Sequence, residues 1–174
     1  IVANIGGFSM DQNIPTKDID SYYERFKDSL KKIDFDGVEL IPQNMAPFPW
    51  HFGGQRYQNM FISAEEIVNY CKKLNLRICF DISHCMLACN YFGWDIYEFS
   101  EKVAPFTAHI HVGDASGVNG EGLQIGDGEI DFKKLGKILT KHSSEASFIP
   151  EIWQGHKNGG EDFWIALKRL EGIL

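Results

Sequence analysis

HIHVGDASG, residues 109–117, alternates apolar Ile110 and Val112 with His109 and His111 and places Asp114 just beyond. Side chains two apart on a strand share a face, so both imidazoles point the same way, with His111 nearer the carboxyl end. The arrangement of a short apolar run closed by a polar side chain recurs along the chain. GVELIP (37–42) carries Glu39, RICFDIS (77–83) carries Asp81 with His84 directly after, and SFIPEIW (147–153) carries Glu151. With the opening IVANIGG (1–7), that makes five strand-like segments.

Helical periodicity fills the gaps between them. Ile19, Tyr22, Tyr23, Phe26, Leu30 and Ile33 recur at three- and four-residue spacing, which predicts a helix over roughly 17–33. Ser63 with Glu66 three residues on is a capping box, opening a helix to about Leu74. A further helix falls within 94–103, Asp131 is an N-cap for FKKLGKILTKH, and EDFWIALKRLEGIL closes the chain. Strand starts 30 to 40 residues apart with helices between them mean a parallel sheet with crossover connections.

A doubly wound sheet and a (β/α)₈ barrel both fit that order. A barrel brings every strand's carboxyl end to one rim, whereas a doubly wound sheet concentrates its site at one crevice. Here four strands carry polar residues at their ends, which favours the barrel. A complete barrel takes roughly 250 residues, and the chain has 174. The expected fold is therefore a partial TIM barrel of about strands four to eight, as one domain over 1–174. The open sheet edges call for strands from a second copy or from a missing N-terminal barrel part.

Composition narrows the function. Lys plus Arg is 17 against 24 Asp plus Glu, a formal charge of −7, which argues against nucleic-acid or anionic-membrane binding. No apolar run approaches the ~20 residues of a membrane span, and IVANIGG has no basic leader. Cys71, Cys79, Cys85 and Cys89 form no C-x-x-C pair and read as reduced thiols of a cytoplasmic protein.

Glu39, Asp81, His111 and Glu151 together offer three carboxylates and one imidazole, a set suited to Mn²⁺, Zn²⁺, Co²⁺ or Mg²⁺, with Mn²⁺ favoured. Each has a simpler reading as well: an ion pair for Glu39 or Glu151, a helix cap for Asp81, a core histidine for His111. His109 would sit one layer deeper, supporting a ligand carboxylate. Trp153, Gln154, His156 and Lys157 after the last strand offer stacking, hydrogen-bond groups and a cation for a sugar or sugar phosphate. Trp50, His51, Gln55 and Arg56 form a candidate second wall, and GVNGEGLQIGDGEID (117–131) reads as a shaped rim loop rather than a nucleotide loop.

VELIPQN (38–44), DISH (81–84), HIHVGDASG (109–117), IGDGEIDF (125–132) and FIPEIW (148–153) resemble the xylose-isomerase-like barrel superfamily. Within it, the likeness is to sugar phosphate isomerase/epimerase proteins related to the ketose 3-epimerases and to endonuclease IV. The resemblance implies Glu39, Asp81, His111 and Glu151 as metal ligands, His84 as a substrate contact, and Glu39 and Glu151 as the carboxylates exchanging a proton. Two positions depart from it. Gly117 stands where the epimerases have an arginine, and Gly120 and Gly122 stand where endonuclease IV has an Asp-x-His.

The expected activity is thus metal-dependent isomerisation or epimerisation of a sugar or sugar phosphate. The alternatives are a hydrolase or lyase in which Asp114 or His84 orients a metal-bound water, and a non-catalytic sugar-binding or assembly module.

Overall fold

The computed structural model describes residues 1–10, 16–51 and 54–173. Five parallel strands form its frame: β1 (Val2–Ala3), β2 (Ile41–Pro42), β3 (Ile78–Asp81), β4 (Thr107–Val112) and β5 (Ser147–Pro150). Val2 pairs with Ile41, Gln43 bridges to Cys79, Asp81 pairs with His111, and His111 in turn with Ile149, every pairing parallel. Spatial order therefore follows chain order without reversal. A doubly wound sheet has a switch point where the order reverses, and this run has none, so the strands are a barrel wall. Among the described residues, β1 and β5 each have one neighbour in this wall, and Phe148 and Ile149 on β5 are exposed.

Helices α1 (Thr16–Leu30), α2 (Ala64–Leu74), α3 (Ile82–Phe92), α4 (Ile96–Val103), α5 (Phe132–His142) and α6 (Glu161–Leu170) provide the crossovers. The α2 capping box forms as the sequence predicts, Ser63 Oγ accepting from Glu66 N and the Glu66 carboxylate accepting from Ser63 N. Asp131 caps α5 by accepting from the N–H groups of Lys133 and Lys134. Between strands and helices lies the core. Ile78 and Phe80 of β3 and Ile110 and Val112 of β4 pack with Ile67 and Cys71 of α2, Leu135 and Leu139 of α5, and Leu170 of α6. The alternate residues, Asp81, His109 and His111, turn to the barrel axis.

Two features differ from expectation. Helix α3 begins at Ile82, inside the stretch expected to be strand, because the Asp81 side chain accepts from His84 N and caps a helix there. Its first eight residues, ISHCMLAC, are buried nearly all round, so it lacks the one-sided apolar stripe that marks a surface helix. Strand β2 is short, and its bond to β3 is made largely by a side chain. Asn44 Nδ2 donates to Asp81 O at 2.9 Å while Asn44 Oδ1 accepts from Asp81 N at 2.6 Å. No helix among the described residues is long and apolar enough to cross a membrane.

Candidate metal centre and cleft

Each of four neighbouring strands delivers one side chain to the rim: Gln43 just after β2, Asp81 at the end of β3, His111 on β4 and Glu151 just after β5. One ligand atom each from Asp81, His111 and Glu151 lies within 4.8 Å of the others. His111 Nδ1 stands 2.6 Å from Glu151 Oε2 and 3.7 Å from Asp81 Oδ2. Despite the short distance to Glu151, this buried nitrogen has no well-aligned hydrogen-bond acceptor among the described residues. An imidazole nitrogen and two carboxylate oxygens that converge in this way fit the donor set of a divalent cation.

Asp81 uses its two oxygens for different purposes. Oδ1 accepts from Ser83 Oγ and His84 N, both at 2.9 Å, which is the helix cap. Oδ2 faces the cluster and accepts from Gln43 Nε2 at 2.7 Å. Burial opposes its charge, but His84 and His111 outweigh that and hold the carboxyl below the usual carboxylate range. For His111 burial likewise opposes charge, yet Asp81, Cys79 and Glu151 push its pKa up to about 12. Cap and ligand are thus compatible roles for Asp81.

His84 is buried beside the cluster, its Nδ1 3.0 Å from Asn44 O and its Nε2 3.3 Å from Glu121 Oε1. Burial disfavours its charge, while Asp81 and Glu121 raise its pKa to about 9. Glu121 arrives on the strand Gly120–Leu123, which folds back antiparallel to Asp114–Ser116. Two clefts meet at this point. One, of about 490 Å³, holds Gln43, Trp50, His84, Glu121, Glu151 and Trp153. The other, of about 520 Å³, shares Glu121, Glu151 and Trp153 and adds Gln154, His156 and Lys157. Gly113 permits the close approach of β5 here, since a Cβ on it would meet Glu151 O at 2.7 Å.

Three expected roles change. Glu39 is not with the cluster: Arg77 grips it with two nitrogens, Nε donating to Oε1 at 2.8 Å and Nη2 bonding Oε2. It lies four residues before Gln43, toward the amino end of β2, where a carboxylate cannot reach the rim. Asp114 does not face a cleft. It is fully buried and accepts from the N–H groups of Ala115, Gly126, Gly128 and Ile130 at 2.8 to 3.2 Å, so it holds the glycine-rich loop in shape. Gly128 is required there, because a Cβ would lie 2.4 Å from Asp114 Oδ1. His109 supports no carboxylate. Its Nδ1 bonds Ser147 Oγ at 2.7 Å, and its ring meets His111 edge to face at 5.3 Å.

The two proposed walls divide. Trp50 and Trp153, both largely exposed, line one cleft with Glu151. Gln55 instead braces the rim loop, donating to Asn119 Oδ1 at 2.6 Å, and Arg56 Nη1 donates to Gln55 O. The His51 side chain lies outside the described residues. Lys157 Nζ donates to Gln154 Oε1 at 2.8 Å at the edge of the second cleft.

Gln43, Asn44 and Glu121 were not singled out by sequence. The signal for the first two was present: QN is a polar pair closing an apolar run, one strand-width before Asp81. Glu121 had no comparable mark inside a glycine-rich loop.

The chain belongs to the xylose isomerase-like TIM barrel family, whose profile matches residues 2–170. Similar solved structures include a D-tagatose 3-epimerase-like protein, with TM-score 0.70 and 21% identity over 99% of this chain and 62% of that one. D-psicose 3-epimerase with D-tagatose from Clostridium cellulolyticum H10 gives 0.63 and 18% over 94% and 59%. IolI protein with a zinc atom gives 0.69 and 15% over 94% and 59%. At these identities the likeness is one of fold, and the chain spans about three fifths of the length of those proteins. No curated protein matches it in sequence.

Proposed function

We propose that residues 1–174 are a partial barrel domain of a metal-dependent isomerase or epimerase acting on a sugar or sugar phosphate. The observation that carries this reading is the convergence of Asp81, His111 and Glu151, of which Glu151 lines a cleft together with Trp50 and Trp153. Asp81, His111 and Glu151 would hold the cation, with Mn²⁺ favoured and Zn²⁺, Co²⁺ or Mg²⁺ also suited to the set. A bound divalent ion would polarise a sugar carbonyl and its neighbouring hydroxyl, acidifying the C–H between them.

The protein's own groups do the rest. Glu151 would take the proton from that carbon, since a ligand carboxylate keeps a second oxygen for base chemistry. Glu121 lines the same cleft beside His84, and the protonated His84 imidazole would return a proton from the loop side. Trp50 and Trp153 stack on the apolar faces of the sugar ring, and Gln154, His156 and Lys157 bind its far end, Lys157 being suited to a phosphate. The four cysteines are free thiols, which suits the cytoplasm. Strands beyond β1 and β5 would come from further chain or a second copy, which light scattering distinguishes.

The test is incubation with Mn²⁺ and a panel of ketohexoses and their phosphates in D₂O. Deuterium at one carbon of the product is expected. Turnover without incorporation would rule out solvent-exchanging proton transfer, and two metal ions per chain with hydrolysis would favour a hydrolase.

A further inference from the structure

Of the four side chains brought to the rim by consecutive strands, three are metal-type donors and one is a neutral amide. Gln43 is 6% exposed and bridges β2 to β3 at Cys79. Its Nε2 lies 2.7 Å from Asp81 Oδ2, the oxygen that also faces His111. An ionised carboxylate only accepts, so the amide must present its N–H here and not its oxygen. Gln43 also lies 3.4 Å from His84 Nδ1, so it is packed between the cap of α3 and the cleft.

We propose that Gln43 is a positioning residue of the metal centre: it fills the fourth rim position as a neutral donor to Asp81 and limits the centre to three protein ligands. This rests on the metal reading of the site. Two carboxylates and a neutral imidazole balance the charge of a divalent ion, whereas a third carboxylate would leave the centre negative. A charge-balanced centre attracts the oxygens of a polyol substrate more strongly and keeps more coordination positions for them. In exchange, the ion is held less tightly, because affinity for hard cations rises with the number of charged ligands.

Two substitutions separate this role from simple packing. Gln43→Glu puts a carboxylate where the amide now bonds Asp81, and should tighten Mn²⁺ binding about tenfold. Gln43→Leu removes the donor that orients Asp81, and should weaken Mn²⁺ binding about tenfold. Mn²⁺ titration calorimetry on the wild-type chain and both variants reads the two changes directly. Thermal melts with and without Mn²⁺ accompany them: Gln43→Glu should melt lower than wild type without metal, from like-charge repulsion at Asp81, and gain more on adding it. Opposite signs in the two variants support the proposal. Weakening in both, or no change in either, would make Gln43 a packing residue and overturn it. If neither wild type nor Gln43→Glu binds Mn²⁺, the metal reading itself fails.

Discussion

Arg77 and Glu39 form a two-pronged ion pair at the amino ends of β3 and β2, while the residue that β2 sends to the rim is Gln43. Both partners are substantially exposed, and an exposed pair is worth about 0–1 kcal/mol. Glu39→Gln should therefore lower stability by less than about 1 kcal/mol and leave Mn²⁺ affinity unchanged. A Mn²⁺ titration in which this variant loses binding would return Glu39 to the metal centre.

His111 and His109 share a strand face but not a role. His111→Ala removes the only imidazole of the cluster and should abolish tight Mn²⁺ binding, and it should also lower the melting temperature of the metal-free protein, because the buried Asp81 carboxylate loses a positive neighbour. His109→Ala breaks the bond to Ser147 Oγ and should cost about 1 kcal/mol, with metal affinity reduced much less. Calorimetric titration beside thermal melts separates them, and equal losses in both measurements would contradict the assignment.

Asp114 is expected to be a stability residue. Asp114→Ala removes the acceptor of four N–H groups, and the two that are buried, those of Ala115 and Ile130, each cost about 1–3 kcal/mol when unsatisfied. The variant should unfold at clearly lower denaturant and show faster amide exchange at Gly126 and Gly128. Wild-type stability with altered substrate binding would instead make Asp114 a site residue.

His84 makes the metal-free protein sensitive to pH. Its folded pKa of about 9 lies above the ordinary value of ~6.5 for an unfolded histidine, so the folded state binds the proton more tightly. That stabilisation is fully present below pH ~6.5 and is lost as pH rises through about 9. Urea melts in chelator should show stability falling across this window, with the fall blunted in His84→Gln. A fall no steeper in the wild type than in the variant, where His111 still titrates, would mean that His84 is not charged in the folded protein.

Much of the barrel was legible because its wall obeys period two and its helices period 3.6. Phe80, Ile110 and Val112 alternate with Asp81, His109 and His111, and that alternation alone separates core from axis. Helix α3 was not legible, since its first eight residues are buried almost all round and show no stripe. The centre was legible where a polar residue interrupts a full-length strand, as at Asp81 and His111. It failed at β2, where only two residues pair as strand and the polar residues at 39 and 43 lie on the same face. Choosing between those two requires the register, and the register depends on side-chain bonds from Asn44 that periodicity does not encode. Asp114 failed for a related reason: a buried carboxylate satisfied by loop N–H groups looks, in sequence, like one waiting for a substrate.

The central claim is that Asp81, His111 and Glu151 bind one divalent cation, and anomalous scattering from crystals grown with Mn²⁺ tests it most directly. The account predicts a single Mn²⁺ peak within ~2.0–2.3 Å of an Asp81 oxygen, a His111 ring nitrogen and a Glu151 oxygen, with none beside Glu39. A saturated crystal with no peak among these three residues, or with the ion held by Glu39, would contradict it.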